Sequence, residues 1–383
     1  MLSGMRVGFL GLGRLGLPIA AVLSQHHQVT GYDPDPTTVH RLELGHPWES
    51  GLGELLNDRI ALVSSVDAAT WDADVIVVCV QTPHGDELDG TIATSRREPF
   101  DLSYVEAALG EVSSDAPVVL MSTVLPGDCR KLDRLINASL IYAPAFPAMG
   151  TTVDDFMAPE FALAGTAHGD DTPYLELMSP VYDGVQFHSV NWETAELTKM
   201  LYNTFIGAKL ALANTAAWLG DAVGADGGQV MRILAGATRR ITSPAYLEPG
   251  LGDGGACHPR DQIALSWLAQ THGVFDIFSS LIDQRLAHSE WIASKVRAEA
   301  GDLDIVILGA AYKAGSTLTD GSPAILLANQ TGWPIVERPP TEPACIVIGV
   351  AHTVYKAMDL SQHRVIDPFG IIPGAIQVGR QPR

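Results

Sequence analysis

Six residues constrain this chain more than any others: Gly11-Leu12-Gly13-Arg14-Leu15-Gly16, set directly behind the apolar run Val7–Leu10 and ahead of the helical pattern Leu15–Gln25. A strand, this glycine spacing and a helix together specify a tight strand-to-helix turn. The first glycine makes the turn, the second leaves the backbone open to a pyrophosphate, and the third lets helix and strand pack closely. The helix N-terminus then presents its free N–H groups to the phosphates. Asp33 ends the next strand, 22 residues past Gly11. A carboxylate there accepts from both ribose hydroxyls and repels a 2′-phosphate. The expectation is a site for NAD rather than NADP, formed by Gly11, Gly13, Arg14, Leu15, Gly16 and Asp33.

The surrounding pattern extends that turn into a sheet. Strand-like runs lie at Arg6–Leu10, Gln28–Tyr32, Val75–Val80, Val118–Ser122, Leu140–Tyr142 and Phe161–Ala164, with helical stretches such as Leu15–Gln25 and Leu102–Glu111 between them. Such alternation predicts an α/β fold with a parallel sheet covered on both faces. The polar stretch His84–Pro99 reads as a loop. From Trp192 to Leu219 the apolar residues recur at helical spacing, which predicts one long helix. Helical patterns follow at Pro259–Gly273 and Phe275–Ala300, and strand patterns return at Ile305–Leu308 and Ala344–Val350, with Pro339-Pro340 as a break between them. The end of the chain, Val365–Arg383, is rich in Gly and Pro. The expected organisation is a Rossmann-like dinucleotide domain over 1–191, a central long-helix domain over 192–300, and a smaller Rossmann-like domain over 301–383.

Composition narrows the function classes. Lys and Arg number 24 against 44 Asp and Glu, a formal charge of -20, so no basic field exists to displace counterions from a nucleic acid. No apolar run approaches the ~18–20 residues of a membrane span, and the N-terminus lacks the parts of a signal peptide. The four cysteines (Cys79, Cys129, Cys257, Cys345) are far apart, with no CxxC, as in a cytoplasmic protein without disulfides. The twelve histidines form no HExxH and no Cys/His cluster, so no metal site is expected.

Four further stations carry candidate chemistry. Thr82-Pro83 and Ser122-Thr123 stand where parallel strands end, the edge at which such sheets bind ligands. Lys199 and Asn203, four apart on the long helix, share a face and can donate to one oxyanion. The loop Pro249-Gly250-Leu251-Gly252-Asp253-Gly254-Gly255 lets backbone N–H groups approach a ligand, and Cys257 follows it at the expected start of a helix. A helix N-terminus favours the thiolate, which makes Cys257 a candidate nucleophile. His258 adjoins it, but adjacent side chains diverge, so it is read as structural.

In this order the stations resemble the UDP-glucose/GDP-mannose dehydrogenase family. The resemblance runs through the glycine fingerprint with Asp33, Thr82-Pro83, Ser122-Thr123 with Pro126-Gly127, and Ala195-Glu196-Leu197-Thr198-Lys199 with Asn203. It continues in Arg240-Ile241, Tyr246 to Gly250, Cys257 to Asp261, Leu308 to Lys313, Ser322-Pro323-Ala324, His352 with Tyr355-Lys356, and Val365-Ile366-Asp367. It implies NAD-dependent oxidation of the C6 alcohol of a nucleotide sugar to a carboxylate by a cytoplasmic homodimer. It also implies a role for each residue. Cys257 attacks the C6 aldehyde to give a thiohemiacetal, and Lys199 and Asn203 hold the oxyanion. Asp261 and Thr123 position and deprotonate alcohol or water. Thr82, Pro83 and Thr123 adjoin the cofactor. Arg240 reaches the partner's sugar, Lys313 meets substrate phosphate, and Tyr246 with Gly250, Gly254 and Gly255 cradles the substrate.

Three departures accompany the resemblance. Ala145 replaces the family's Glu in Pro144-Ala145-Phe146, and a methyl group accepts no proton. Asp320 stands where the family has an Arg. The segment between Ala324 and Ala344 is short, which predicts the loss of most of a helix and a strand from the last domain. Two alternatives therefore stand beside the main reading: a two-electron alcohol dehydrogenase stopping at the aldehyde, and a non-catalytic NAD or nucleotide-sugar binder.

Overall fold

The computed structural model describes residues 4–38, 52–56, 60–83, 98–148, 150–243, 249–252 and 257–378, Cys257 by its backbone alone. The chain divides into two compact units, 1–206 and 207–383, and the division falls within the helix Trp192–Val223.

The first unit is built on eight strands: β1 (Arg6–Leu10), β2 (Gln28–Tyr32), β3 (Ile60–Leu62), β4 (Val75–Val78), β5 (Val118–Leu120), β6 (Leu140–Tyr142), β7 (Ala162–Thr166) and β8 (Phe187–Asn191). Their order is β3-β2-β1-β4-β5-β6-β7-β8, so the strand order reverses between β1 and β4 and opens a crevice at their carboxyl ends. Side chains alternate between two cores, as a sheet covered on both faces requires. Val75 and Val77 join Phe9 and the helix Gly16–Ser24 on one side, while Ile76 and Val78 join Leu120, Leu109 and Trp192 on the other. The helix Gly16–Ser24 is buried on every face, which its uniformly small or apolar sequence GLPIAAVLS permits.

Two expectations change here. Val75–Val80 and Val118–Ser122 stop as strands at Val78 and Leu120, and the residues beyond form the loops over the crevice. The sheet is also not wholly parallel: β7 runs antiparallel to β6, with Tyr142 opposite Gly165. An apolar run such as Phe161–Ala164 marks a strand but carries no direction. The stretch 84–97, most of the expected loop His84–Pro99, lies outside the described residues.

The second unit joins helices to a smaller sheet. The helices Cys257–Thr271 and Ile277–Ala300 lie close to their expected places, and Gly227–Ala235 is a further helix that the sequence pattern does not anticipate. Asp276 caps the last of these, accepting from the N–H groups of Phe278 and Ser279, and is itself held by Ser266 and Gln270. The sheet comprises β9 (Ile305–Leu308), β10 (Ile335–Val336), β11 (Cys345–Ile348), β12 (Arg364–Asp367) and β13 (Ile376–Gln377), all parallel, in the order β10-β9-β11-β12-β13. Its strand order too reverses, between β9 and β11. Helices Ile277–Ala300 and Pro323–Thr331 cover one face, and Tyr355, Leu360 and Ile372 cover the other.

The expected loss from the last domain is corrected by this sheet. The short segment keeps both its helix, Pro323–Thr331, and its strand, β10. Compression is possible because the helix is closed at both ends: Ser322 caps it ahead of Pro323, and Gly332 stops it at φ +78°. Among the described residues no helix is long and apolar enough to cross a membrane.

Candidate active site

The glycine fingerprint takes the shape its spacing predicts. Gly11 sits at φ +93°, a left-handed conformation that favours glycine. A Cβ on Gly16 would stand 2.0 Å from the Gly11 carbonyl oxygen, so the helix starts closer to the turn than any side chain allows. Gly13 differs from both. A Cβ there would meet no heavy atom within 4 Å, so its backbone is open to a bound group. The Asp33 carboxylate is aimed at this turn, accepting from the N–H of Leu12 at 2.7 Å and of Asp35 at 2.9 Å. Arg14 is exposed, and Leu15 is half-buried against the core.

These residues border a cleft of about 650 Å³ that runs from Gly11, Gly13, Tyr32 and Asp33 to Cys79 and Val80, with Tyr104, Ala107 and Ala108 along its far wall. The volume suits a dinucleotide or a large part of one. The far wall was not read from the sequence. Its signal is the pair of small residues, Ala107 and Ala108, on the helix Ser103–Gly110.

The loops over β4 and β5 are tied together. The Thr82 hydroxyl donates to the Thr123 carbonyl at 2.8 Å, and the Ser122 hydroxyl donates to the Val80 carbonyl at 2.7 Å. Thr82, Pro83 and Thr123 are each half-buried.

Lys199 is held at the same edge. Its Nζ donates to the Ala145 carbonyl at 2.6 Å and lies 4.8 Å from the centre of the Phe146 ring. Burial holds this ammonium below the usual lysine range, while the Cys79 thiol pulls the other way. Burial pushes that thiol up to about 12, against the opposing pull of Lys199. The two groups therefore feel each other's charge, and Cys79 lines the cleft. Sequence reasoning assigns Cys79 no place in the site. Nothing in the sequence links it to a lysine 120 positions away. Asn203, one turn past Lys199, is exposed. Behind Lys199, Phe146 packs against Tyr202 and Phe161 at 5.0 and 4.9 Å, and the Tyr202 hydroxyl donates to Glu160 at 3.0 Å.

The remaining candidates belong to the second unit. The backbone of Cys257 opens the helix Cys257–Thr271, as expected of the residue after the glycine loop. Asp261, one turn on, is exposed and pairs with Arg260 at 2.8 Å. Gly250 and Gly252 are packed so closely that a Cβ would stand 3.2 Å from the Phe369 ring and 3.1 Å from Pro323. His288 meets the Gly250 carbonyl at 2.9 Å. Arg240 and Lys313 are exposed, with the Lys313 Nζ 5.3 Å from the Tyr312 ring centre. Tyr246, Gly254 and Gly255 lie outside the described residues. Among those described, no group of three His, Cys, Asp or Glu side chains could hold a metal ion.

The profile of the UDP-glucose/GDP-mannose dehydrogenase family, NAD binding domain, matches residues 5–186, and that of the central domain matches 193–285. A UDP-glucose 6-dehydrogenase of Rickettsia prowazekii is 30% identical over 345 residues, covering 84% of this chain and 77% of the relative. A GDP-mannose 6-dehydrogenase of Pseudomonas aeruginosa is 28% identical over 355 residues, covering 85% and 78%. Among solved structures, a ternary complex of GDP-mannose dehydrogenase from Pseudomonas aeruginosa superposes with a TM-score of 0.83 at 22% identity, over 96% of this chain and 97% of that one. The likeness in structure shows a shared fold.

Proposed function

This chain belongs to the UDP-glucose/GDP-mannose dehydrogenase family, and we propose on that footing that it oxidises the C6 alcohol of a nucleotide sugar through a covalent intermediate on Cys257. It is an NAD-dependent dehydrogenase. The open backbone at Gly13 and the Asp33 carboxylate suit the pyrophosphate and the adenosine ribose of that cofactor. The observation that carries the reading is Lys199, a half-buried ammonium held on the Ala145 carbonyl and electrostatically coupled to Cys79 of the cofactor cleft, on a helix that continues to Asn203.

NAD, when bound, takes up the two electrons that leave C6 at each oxidation. Asp261 and Thr123 position the alcohol and accept its proton. The Cys257 thiolate adds to the resulting aldehyde, and Lys199 and Asn203 donate to the oxygen that becomes negative. A second oxidation gives a thioester, and water releases the carboxylate and restores the thiol. Lys313 faces substrate phosphate, and Tyr246 with the Gly250–Gly255 backbone cradles the sugar nucleotide. The protein works as a cytoplasmic homodimer in which Arg240 completes the partner's site. Leu201, Phe205, Leu210 and Trp218 support the dimer, because all four are exposed along one helix.

One observation favours a shorter reaction. Lys199 meets only a backbone carbonyl at position 145, where the side chain is a methyl. Without a carboxylate there, losing a general base slows thioester hydrolysis by about 10²–10⁴-fold. The protein then accumulates an acyl-enzyme or releases the aldehyde after one oxidation. Both readings meet in one experiment: NADH formed per substrate consumed, across UDP- and GDP-sugars, with intact-protein mass. Two NADH, a carboxylate and no adduct support full oxidation. One NADH with free aldehyde supports the shorter course. No turnover of any nucleotide sugar overturns both.

A further inference from the structure

Glu196 is a carboxylate with no surface exposure, and it makes two short hydrogen bonds to backbone far away in sequence. One oxygen accepts from the N–H of Gly127 at 2.6 Å, the other from the N–H of Cys129 at 2.7 Å. We propose that Glu196 is a positioning residue: it fixes the Thr123–Cys129 loop against the helix that carries Lys199 and Asn203. The inference rests on the function proposed above and assigns a role that the reaction itself does not reveal.

A buried carboxylate is costly unless its oxygens are satisfied, and two N–H donors of one loop satisfy both. Local chemistry already serves the loop for stability. Asp128 accepts from the N–H of Leu125 at 2.9 Å and pairs with Lys131 at 2.7 Å. What Asp128 cannot supply is a link to another element, and Glu196 supplies it. Glu196 lies three residues before Lys199, on the adjacent turn of one rigid helix. The same helix thus holds the loop after β5 through Glu196 and the segment after β6 through the contact of Lys199 with Ala145. At the other end of the loop, the Thr123 carbonyl accepts from Thr82, which joins the loop to the end of β4. Gly127 turns at φ +95° to bring its N–H onto the carboxylate. One helix therefore holds the loop after β5 and the segment after β6 directly, through side chains three positions apart, and reaches the end of β4, which borders the cleft, through Thr123. A displacement of about 1 Å between reacting groups costs on the order of 10²-fold in rate.

The test uses Glu196→Gln, which keeps the size but sets an NH₂ group against one of the two N–H donors, and Glu196→Asp, which keeps the charge on a shorter arm. Two readouts are taken on the full-length protein. Steady-state kinetics should show kcat lowered about 10–100-fold in Glu196→Gln, with KM and the affinity for NADH within about twofold and a partial recovery in Glu196→Asp. Competitive acetylation, read by peptide mass, should show Lys199 labelled severalfold faster relative to the exposed Lys209 in Glu196→Gln than in the parent. Unchanged Lys199 labelling, with activity falling only as the folded fraction falls, overturns the proposal. If the parent oxidises no nucleotide sugar, the functional reading fails by itself and the labelling ratio alone decides the role of Glu196.

Discussion

The first unit and the helical stretch 207–300 treat their apolar residues in opposite ways. In the first, Val7, Phe9, Val75, Val77, Val119 and Ile141 are covered by the unit's own helices. In the second, the helices' own buried cluster is small, Leu219, Ala269, Val274 and Phe278, and Ile292, Ala293 and Val296 pack into the core of the following sheet, while Leu210 (59%), Ile233 (69%), Trp267 (65%) and Phe275 (66%) remain exposed. The candidate side chains follow the same division. Asp33, Thr82 and Lys199 have hydrogen-bonded positions within the first unit, where Arg14 and Asn203 are exposed, whereas Arg240, Asp261 and Lys313 in the second all stand exposed, Asp261 paired with its sequence neighbour Arg260. The lesson is that Asp33, Thr82 and Lys199 are held by the backbone of the first unit itself, whereas the described helices of the second unit leave large apolar side chains uncovered.

The strongest way to break this comparison is through Cys257. If the second unit supplies the nucleophile, Cys257→Ser should stop carboxylate formation, a loss on the order of 10⁴-fold or more, while NADH binding to the first unit stays within about twofold. Single-turnover NADH release and product mass measure the first, and fluorescence titration measures the second. Carboxylate formed at the parental rate would remove Cys257 from the mechanism.

The next prediction concerns the exposed apolar residues. A side chain at a two-fold contact counts twice, so losing about 2 kcal/mol per copy weakens association by about 10³-fold. Phe205→Asp should therefore yield monomers at micromolar concentration by analytical ultracentrifugation. Activity should fall with dimer content, because Arg240 then has no partner site to complete. A variant that stays dimeric would place the interface elsewhere.

Much of the first unit was legible because its signals are contiguous. β1, β2 and β6 fall where short apolar runs between polar or glycine residues predict them, and the fingerprint turn is written in six consecutive residues. What escaped was either too polar or too distant. β8, FHSVN, has mostly exposed side chains and no alternation, and β10 and β13 are two residues each. The coupling of Cys79 to Lys199, and the grip of Glu196 on two backbone N–H groups, depend on the order of strands in the sheet. Residue types do not encode that order locally. In the second unit, tight packing at Gly250 and Gly252 was readable only as an excess of glycine; that the neighbours are Phe369 and Pro323 was not.

Two glycines sharpen the account of the cofactor half. Gly16→Ala places a methyl against the Gly11 carbonyl, so the turn must shift and both Tm and NAD binding should fall. Gly13→Ala enters open space and should leave Tm unchanged while raising KM for NAD about tenfold or more. Thermal melts and NAD titration separate the two. Equal effects from both would mean that the open space at Gly13 is not the pyrophosphate path.

A smaller effect follows from Lys199. Its burial favours the neutral amine, so the donor needed at the oxyanion is lost as pH rises through a value below the ordinary lysine range. The kcat profile should fall on its alkaline side below that range, and Lys199→Arg should push the fall to higher pH. A profile unmoved by Lys199→Arg would assign the alkaline limb to another group.

The smallest expected effect tests whether the first unit's backbone holds side chains in the same way at its rim. His27 is buried; its Nδ1 accepts from the N–H of Met5 at 3.2 Å, and its Nε2 lies 2.8 Å from the Leu177 carbonyl. The proton therefore sits on Nε2, and a second proton on Nδ1 would face a donor. Burial lowers this histidine below its ordinary value, although the Leu177 carbonyl partly opposes the shift. The unfolded chain then binds a proton that the folded chain refuses. Stability is fully present above the unfolded value of about 6.5, and it declines as pH falls from there to the lower folded value. Tm should therefore fall between pH 7.5 and pH 5.5. His27→Leu should melt lower at both pH values, because the N–H of Met5 loses its acceptor, but with a smaller difference between them. A parent whose Tm does not fall over this range, or a variant that keeps the full difference, would show that His27 is not the group responsible.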